Sequence, residues 1–258
     1  MRRSTVHHDG VTIPVSRGGR GRPLVLCPGL NSTQADLHEL IELLRRDHDV
    51  VTFDLRGHGS ASAAGRYSFD AFLGDLTAVL ASLPLREPPV LVGYSLGADL
   101  VLQHAAGHPG TFARLVLVDG AIPVPEPFLT EADLPVFRAM WDDMAKEQAA
   151  RQDPARRVLL SGPEILDLNV EIDDVRAKIL GRYREIDRPI SLIVSTSMAG
   201  DGGEELVERC NRNWRAGVDR LVRERPDVTT SWLDADHGLV FTHAPQVARL
   251  ITSPAPTS

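Results

Sequence analysis

The sequence predicts an α/β protein with a mostly parallel central sheet and a helical segment inserted into it. Short apolar runs of strand length alternate with longer segments whose apolar residues recur at helical spacing. This alternation is typical of a parallel sheet covered by helices on both faces. The strands stop before residue 122 and resume at residue 190, with helical stretches between. A chain of 258 residues suits one such domain with an insertion better than two separate cores.

The individual elements follow in order from the N-terminus. A turn at Asp9-Gly10 precedes one arm of a hairpin at residues 11–15. Apolar strands and amphipathic helices then alternate, and two further strands come near the C-terminus. The remaining predicted strands are residues 24–27, 49–54, 89–92, 115–118, 190–194 and 228–233, and the helices before residue 118 are residues 34–46, 69–80 and 98–104.

Composition and charge narrow the class of protein. A net charge of −7 and an isoelectric point near 5.7 argue against a nucleic-acid binder, which normally carries a basic patch. No apolar run approaches the roughly 20 residues of a membrane-spanning helix. Residues 1–8 lack the apolar stretch of a secretory signal, and two cysteines give no disulfide framework. We therefore expect a cytoplasmic protein that acts on a small molecule, without membrane insertion; its oligomeric state is open.

The interval from residue 122 to residue 188 is predicted to form a helical cap. Prolines at alternate positions prevent a helix at its start, and apolar residues then recur at helical spacing over residues 136–144. Such a stripe faces a core in the simplest interpretation, and Trp141, Met140 and Met144 are candidates to line a substrate pocket. The predicted division is a first core part at residues 1–121, the cap at 122–188 and a second core part at 189–258.

The five residues 93–97, Gly-Tyr-Ser-Leu-Gly, point to nucleophilic catalysis. They match the pattern Gly-x-Ser-x-Gly between a predicted strand and a predicted helix, which is the setting of a nucleophile elbow. Glycines two positions before and two after Ser95 permit a very tight turn and close packing of strand and helix. We therefore predict Ser95 as the nucleophile and its neighbour Tyr94 as a substrate contact. The alternative is a turn in which the serine only caps the helix.

Four segments make the chain resemble the α/β-hydrolase family over nearly its full length. They are residues 27–30 (Cys-Pro-Gly-Leu), 54–59 (Asp-Leu-Arg-Gly-His-Gly), 93–97 and 236–238 (Asp-His-Gly). The resemblance implies a sheet of about eight strands and a triad in the chain order nucleophile, acid, histidine. Ser95 and His237 fit the first and third places, with His243 as the fallback base. Residues 54–59 are interpreted as architectural.

The acid of the triad has candidates in two places. The resemblance places it just after the strand at residues 190–194, where the candidates are Asp201, Glu204 and Glu205, and Asp201 is the first choice because its flanking glycines suit a flexible turn. Some members of the family place the acid after the preceding strand of the sheet, which would make it Asp119. Asp201 is therefore predicted to complete the triad, with Asp119 as the alternative.

The resemblance also implies an oxyanion hole built from two backbone N–H groups. These belong to Leu96, directly after the nucleophile, and to Leu30, in the loop after the first parallel strand. The family often has His-Gly where this chain has Pro28-Gly29. Because the donor is a backbone group, the hole can survive this change. Asn31 is a further candidate, since its side chain could add a donor.

These features predict a serine hydrolase that cleaves an ester, thioester or lactone of a medium-sized, largely apolar small molecule through an acyl-Ser95 intermediate. The same fold also supports acyl transfer, cyclisation, carbon–carbon bond hydrolysis and slow-turnover ligand receptors, so these functions are open alternatives. The sequence shows neither metal-ligand spacing nor a phosphate-binding glycine loop. No cofactor and no metal are expected.

Overall fold

The computed structural model describes residues 1–253 and shows one eight-stranded sheet with helices on both faces. The strands are β1 (Arg2–His8), β2 (Val11–Gly19), β3 (Arg22–Cys27), β4 (His48–Phe53), β5 (Val90–Tyr94), β6 (Arg114–Val118), β7 (Ile190–Ser195) and β8 (Thr229–Leu233). Their spatial order is β1-β2-β4-β3-β5-β6-β7-β8. Only the pairs β1–β2 and β2–β4 are antiparallel. The predicted α/β fold with a mostly parallel sheet is confirmed.

Helices cover this sheet from both sides. They are α1 (His38–Leu44), α2 (Phe69–Ser82), α3 (Leu96–Gly107), α4 (Leu134–Ala149), α5 (Gly162–Ala177), α6 (Ile179–Arg184), α7 (Glu205–Glu224), α8 (Leu239–Thr242) and α9 (Ala244–Thr252). In β3, Leu24 and Leu26 pack with α1, α8 and α9, whereas Val25 and Cys27 pack with α2 and α3 on the opposite face. Alternate residues of a strand face opposite sides, so a strand between two helical layers must be apolar throughout.

The N-terminal hairpin is present and longer than predicted. Asp9 and Gly10 form its two-residue turn with positive φ angles of 47° and 73°, as this tight connection requires, and His8 pairs with Val11 across it. The first arm, β1, was not predicted. It is mostly exposed, so its residues lack the apolar alternation that marks a half-buried strand.

The segment between β6 and β7 consists of helices α4, α5 and α6 and a short 3₁₀ helix at Pro154–Arg156. Its strand-like pairing is a single bridge between Val158 and His58. The predicted helix at residues 34–46 is shorter than expected, because Asp36 accepts hydrogen bonds from the N–H and hydroxyl of Thr33 and holds a turn before α1.

Within residues 1–253, none of the helices combines the length and the apolar character needed to cross a bilayer. Residues 254–258, the end of the predicted second core part, lie outside the described residues.

Candidate active site

Ser95 occupies a strained turn between β5 and α3. Its backbone angles are φ 53° and ψ −123°, a combination that non-glycine residues rarely adopt outside functional sites. A Cβ atom on Gly93 would lie 2.2 Å from the carbonyl oxygen of Gly97, and one on Gly97 would lie 2.3 Å from that of Cys27. Both glycines are therefore required by close backbone approach. This is the geometry expected of a nucleophile elbow.

Three side chains from three loops meet at the carboxyl end of the sheet. Ser95 Oγ lies 2.9 Å from His237 Nε2, and His237 Nδ1 lies 2.7 Å from Asp119 Oδ2. Asp119 is fully buried, whereas His237 is about one third exposed. A carboxylate at Nδ1 favours the proton on that nitrogen and leaves Nε2 free to accept the proton of the serine hydroxyl. The arrangement can activate Ser95 as a nucleophile.

Asp119 is held in one orientation by donors other than His237. Its carboxylate accepts hydrogen bonds from the backbone N–H of Ser195 (2.8 Å) and from the Ser195 hydroxyl (2.9 Å). Such bonds compensate the burial of a charged group. Ser195 is the last residue of β7, the strand beside β6, and sequence reasoning did not single it out. The available signal was a polar residue at the end of a largely apolar strand.

Of the acid candidates, the structure brings Asp119 and not Asp201 to His237. Asp201 is exposed in the loop between β7 and α7, and it makes no hydrogen bond to His237 in the described part of the chain. That loop is bound to α7, where Asn211 Oδ1 accepts the N–H of Ala199 at 2.8 Å. Asp119, by contrast, directly follows β6, which pairs with the nucleophile's own strand. Its position in the sheet brings it to the histidine.

The two predicted oxyanion-hole residues, Leu30 and Leu96, both line the cavity that contains Ser95. Leu96 is the first residue of α3, so its N–H lies in the turn that lacks intrahelical partners. The loop that carries Leu30 lies against the nucleophile, because a Cβ on Gly29 would lie only 2.8 Å from Ser95 Cβ. Both residues therefore lie beside Ser95, and their role in an oxyanion hole stays a prediction.

The oxyanion loop, residues 28–32, is anchored by a buried histidine. Asn31 has a positive φ of 61°, and its N–H donates to His58 Nε2 at 3.2 Å. His58 Nδ1 in turn donates to the carbonyl oxygen of Arg56 at 2.8 Å. Burial lowers the pKa of His58 to about 4, so its imidazole is neutral at pH 7 and Nε2 is an acceptor. Residues 54–59 are thus architectural in a definite way, because His58 of this segment holds the oxyanion loop in place.

His58 should make folding stability depend on pH. The unfolded chain protonates this side chain near pH 6.5, whereas the folded protein keeps it neutral down to about pH 4. The free energy of unfolding should therefore fall as the pH falls from about 6.5 to about 4, by up to about 3 kcal/mol from this residue. We expect His58→Gln to reduce that loss in urea unfolding at pH 7.0, 5.5 and 4.5.

The control for this measurement is His38→Gln, which removes an exposed histidine from α1. It should retain the wild-type dependence of stability on pH. An unchanged pH dependence in His58→Gln, with the control also unchanged, would show that His58 is not the group responsible.

Three predicted substrate contacts do not line the cavity. Tyr94 is buried beneath the histidine, where its hydroxyl donates to the carbonyl oxygen of His237 at 2.8 Å and its ring lies 5.4 Å from the imidazole. The Asn31 side-chain nitrogen contacts Met144 Sδ at 3.2 Å, which connects the oxyanion loop to α4. The structure therefore does not bring these three side chains to the cavity, because each is directed into a contact within the protein. All three residues instead support the loops around the site.

A cavity of about 350 Å³ contains Ser95 and His237 in its walls. Most of the other walls are apolar, and they include two predicted contacts, Met140 and Trp141. Further aromatic and aliphatic lining comes from Phe128, Phe137, Ile172 and Trp214. The Phe137 and Trp141 rings are stacked, with centroids 5.1 Å apart. Such walls favour a substrate with a largely apolar body.

One wall of this cavity is polar. It is formed by Asn169, Asp173 and Arg176, which recur at helical spacing on α5. Arg176 forms a two-pronged ion pair with Asp99 of α3, with Nε–Oδ1 and Nη2–Oδ2 distances of 3.1 and 2.7 Å. Burial raises the pKa of Asp173, while the N–H of Leu129 and the nearby Arg176 act in the opposite direction. Sequence reasoning identified none of these residues, since charged residues on a helix are usually solvated.

Residues 1–253 contain no group of three or more His, Cys, Asp or Glu side chains arranged to hold a metal ion. The two cysteines, Cys27 and Cys210, are buried free thiols, and burial raises the pKa of both. Cys210 lines the cavity, whereas Cys27 packs in the core beneath the elbow.

The sheet order, the strained turn at Ser95 and the contacts among Ser95, His237 and Asp119 are the features expected of an alpha/beta hydrolase fold. A family profile described as alpha/beta hydrolase fold matches residues 22–194, well over half of the chain. The chain belongs to the alpha/beta hydrolase family.

Several known proteins are similar to this chain. A non-heme haloperoxidase of Rhodococcus erythropolis is 37% identical over 119 residues, which are 45% of this chain and 42% of that protein. A pimeloyl-[acyl-carrier protein] methyl ester esterase of Methylococcus capsulatus is 26% identical over 92% of this chain and 96% of its own. A carboxylesterase structure from Nitrososphaera gargenis superimposes with a TM-score of 0.72 at 18% identity, over 97% of this chain and 96% of that one, and shows the shared fold. The chain spans less than half the length of the curated relatives it matches first.

Proposed function

We propose that this protein is a serine hydrolase that cleaves an ester, thioester or lactone of a largely apolar small molecule through an acyl-Ser95 intermediate. The observation that carries the proposal is the continuous chain of contacts from Ser95 Oγ through His237 to Asp119 in the wall of an apolar cavity. The relatives named esterases support the same class of reaction.

In the first half of the reaction, His237 Nε2 takes the hydroxyl proton of Ser95 as Oγ attacks the carbonyl carbon of the substrate. Asp119 stabilises the imidazolium that forms, and the N–H groups of Leu30 and Leu96 stabilise the negative charge on the carbonyl oxygen. The tetrahedral intermediate then expels the alcohol or thiol. His237 returns the proton to that leaving group, and the acyl group remains on Ser95.

The second half repeats these steps with water. His237 removes a proton from the water molecule as its oxygen attacks the acyl carbon, and the same N–H groups hold the developing charge. Ser95 Oγ leaves with the proton carried by His237, and the acid product is released. An acyl transferase would differ only here, since an alcohol would replace water.

We further propose that residues 122–188 act as a cap that selects the substrate. Six residues of this segment that line the cavity have apolar side chains: Phe128, Leu129, Phe137, Met140, Trp141 and Ile172. Moving apolar surface from water into an apolar environment contributes a favourable free energy of roughly 25 cal/mol per Å². These walls therefore favour substrates with alkyl or aryl groups over small polar ones. The cap would therefore set specificity while the loops at the sheet edge carry the chemistry.

Labelling with a fluorophosphonate, followed by intact-mass detection, tests the nucleophile. The wild type should gain one adduct and Ser95→Ala none, because the reagent reacts with an activated serine. Ester turnover by Ser95→Ala should fall by about 10⁶-fold. Ser4→Ala, which changes an exposed serine of β1, is the control and should label fully.

Equal labelling of Ser95→Ala and the wild type would disprove the proposed nucleophile. Product analysis distinguishes the reaction types that share this nucleophile. Release of the free acid in water supports hydrolysis, whereas transfer of the acyl group to an added alcohol in preference to water supports a transferase.

A further inference from the structure

We propose that Arg176, Asp173 and Asn169 bind a neutral polar group of the substrate, one that both accepts and donates hydrogen bonds as a secondary amide does. This inference rests on the proposed function, because it concerns the substrate of the same cavity. It assigns the substrate class: an acyl compound whose apolar body carries an amide-like group away from the scissile carbonyl.

Arg176 presents a fixed hydrogen-bond donor to the cavity. Its Nε and Nη2 atoms are engaged by the two oxygens of Asp99, a fully buried carboxylate of α3. Its Nη1 atom makes no hydrogen bond within residues 1–253, and the residue lines the cavity. The ion pair therefore orients the guanidinium plane and leaves one nitrogen for a ligand. A donor oriented in advance loses little conformational freedom on binding.

The same wall presents acceptors beside this donor. Asp173 accepts the N–H of Leu129 on Oδ2 at 3.0 Å, and the N–H of Phe128 also acts on this carboxylate, whose two oxygens retain lone pairs for a further donor. Asn169 Nδ2 donates to the carbonyl oxygen of Ile165 at 2.8 Å. The Oδ1 atom of the same amide therefore points away from Ile165 and can act as an acceptor. Both residues line the cavity with Arg176. A carbonyl oxygen of the ligand can thus meet Arg176 while an N–H of the same ligand meets an acceptor.

The charges of this wall favour a neutral ligand over a carboxylate. The single positive charge of Arg176 is already paired with Asp99, and Asp173 adds a second carboxylate within the electrostatic reach of the guanidinium. Asp119 of the triad also acts on Arg176. A carboxylate brought to this wall would face carboxylates without an unpaired cation, and like charges in a partly buried site repel strongly. An amide satisfies the donor and the acceptors without adding charge.

The remaining walls define the rest of the ligand. Phe128, Phe137, Met140 and Trp141 add apolar surface to the same cavity that contains the polar wall and Ser95. A methylene or aryl linker fits this space, whereas a second polar group there would lose its hydration without gaining a partner. The substrate class is therefore an ester or thioester whose amide is separated from the reacting carbonyl by an apolar linker.

Paired p-nitrophenyl esters test this inference. One series carries ω-acetamido acyl groups with two to five methylenes, and the second carries straight-chain acyl groups of the same length in heavy atoms. For the best-fitting length, we expect the wild type to show a kcat/KM at least about tenfold higher for the acetamido ester, because a cavity built for hydrogen bonds discriminates against a ligand that lacks them. The p-nitrophenyl monoesters of dicarboxylic acids should be poorer than the acetamido esters.

Two conservative variants connect the preference to the polar wall. Asp173→Asn keeps an oxygen for the N–H of Leu129 but replaces the second acceptor by a donor, and Arg176→Lys keeps a cation beside Asp99 but removes Nη1. Each should reduce the acetamido-to-alkyl ratio of kcat/KM to about one third or less of the wild-type ratio. Both esters are measured on the same variant, so a general loss of activity lowers both kcat/KM values and leaves their ratio unchanged. Asp174→Asn, at the exposed neighbouring position on α5, is the matched control and should keep the wild-type ratio.

Binding measurements separate this inference from the proposed function. Calorimetry on Ser95→Ala with the methyl esters of both series reports affinity without turnover, and the acetamido esters should bind more tightly. If the wild type hydrolyses no ester, the proposed function fails and these affinities alone decide the inference. A wild-type ratio of one or less, a preference for the dicarboxylic monoesters, or equal affinities for the two methyl-ester series would each overturn it.

Discussion

Asp119→Asn is expected to lower kcat by about 10⁴-fold while the protein remains folded. Asparagine has the same shape, and its Oδ1 can continue to accept the N–H and hydroxyl of Ser195. Its amide nitrogen would then face His237 Nδ1, where the carboxylate oxygen now lies at 2.7 Å. A donor at that position favours the tautomer with the proton on Nε2. Nε2 could then no longer accept the proton of Ser95.

Asp201→Asn is the matched control, because it makes the same chemical change at the position that the sequence favours. Its kcat should stay within about threefold of the wild type, as is usual for an exposed residue outside the site. Ester hydrolysis and the rate of fluorophosphonate labelling measure both variants. The opposite result, with Asp201→Asn inactive and Asp119→Asn active, would assign the acid to the loop after β7.

Gly97→Ala is expected to abolish activity and to destabilise the protein by at least about 3 kcal/mol. A Cβ at this position would lie 2.3 Å from the carbonyl oxygen of Cys27 and 2.5 Å from that of Pro28. These are backbone atoms of β3 and the oxyanion loop, so no side-chain rotation can relieve the clash. The helix α3 would have to move away from the sheet, and Ser95 and the N–H of Leu96 would move with it.

Gly107→Ala provides the control in the same helix. A Cβ at residue 107 would have no neighbour within 4 Å, so this variant removes a glycine from α3 without a clash. Its stability should lie within about 1 kcal/mol of the wild type. Urea unfolding and ester turnover measure both variants. A stable, active Gly97→Ala protein would show that the elbow can relax, contrary to the close packing of α3 on β3.

The sequence predicts a strand well where both faces of that strand have the same surroundings. Strands such as β3 and β5 are covered on both faces, so continuous apolar runs marked them. The exposed strand β1 was missed because its side chains carry no such pattern and its pairing with β2 stabilises it instead. In the same way, the residues 93–97 predicted the elbow because a tight turn restricts which residues can occupy it.

The acid and the substrate contacts were harder to predict because they depend on which segments become neighbours. Asp119 and Asp201 both follow a buried strand and both have an adjacent glycine, so local pattern could not separate them. Likewise, Tyr94 is next to Ser95 in sequence, yet its side chain lies beneath His237 and not in the cavity. Sequence adjacency does not determine the direction of a side chain at a turn with unusual backbone angles.

The sequence by itself determined the fold class and the position of the elbow with Ser95 as a candidate, because these follow from local periodicity and from steric limits within a few residues. His237 became a candidate through the chain order that the resemblance to the α/β-hydrolase family implies. Only the tertiary structure decided that Asp119 contacts His237, that His58 anchors the oxyanion loop and that Arg176 with Asp99 forms a polar wall in the cavity. Each of these contacts joins residues 27 to 118 positions apart. Such pairings are set by strand order and by packing of the inserted helices, which local patterns do not encode.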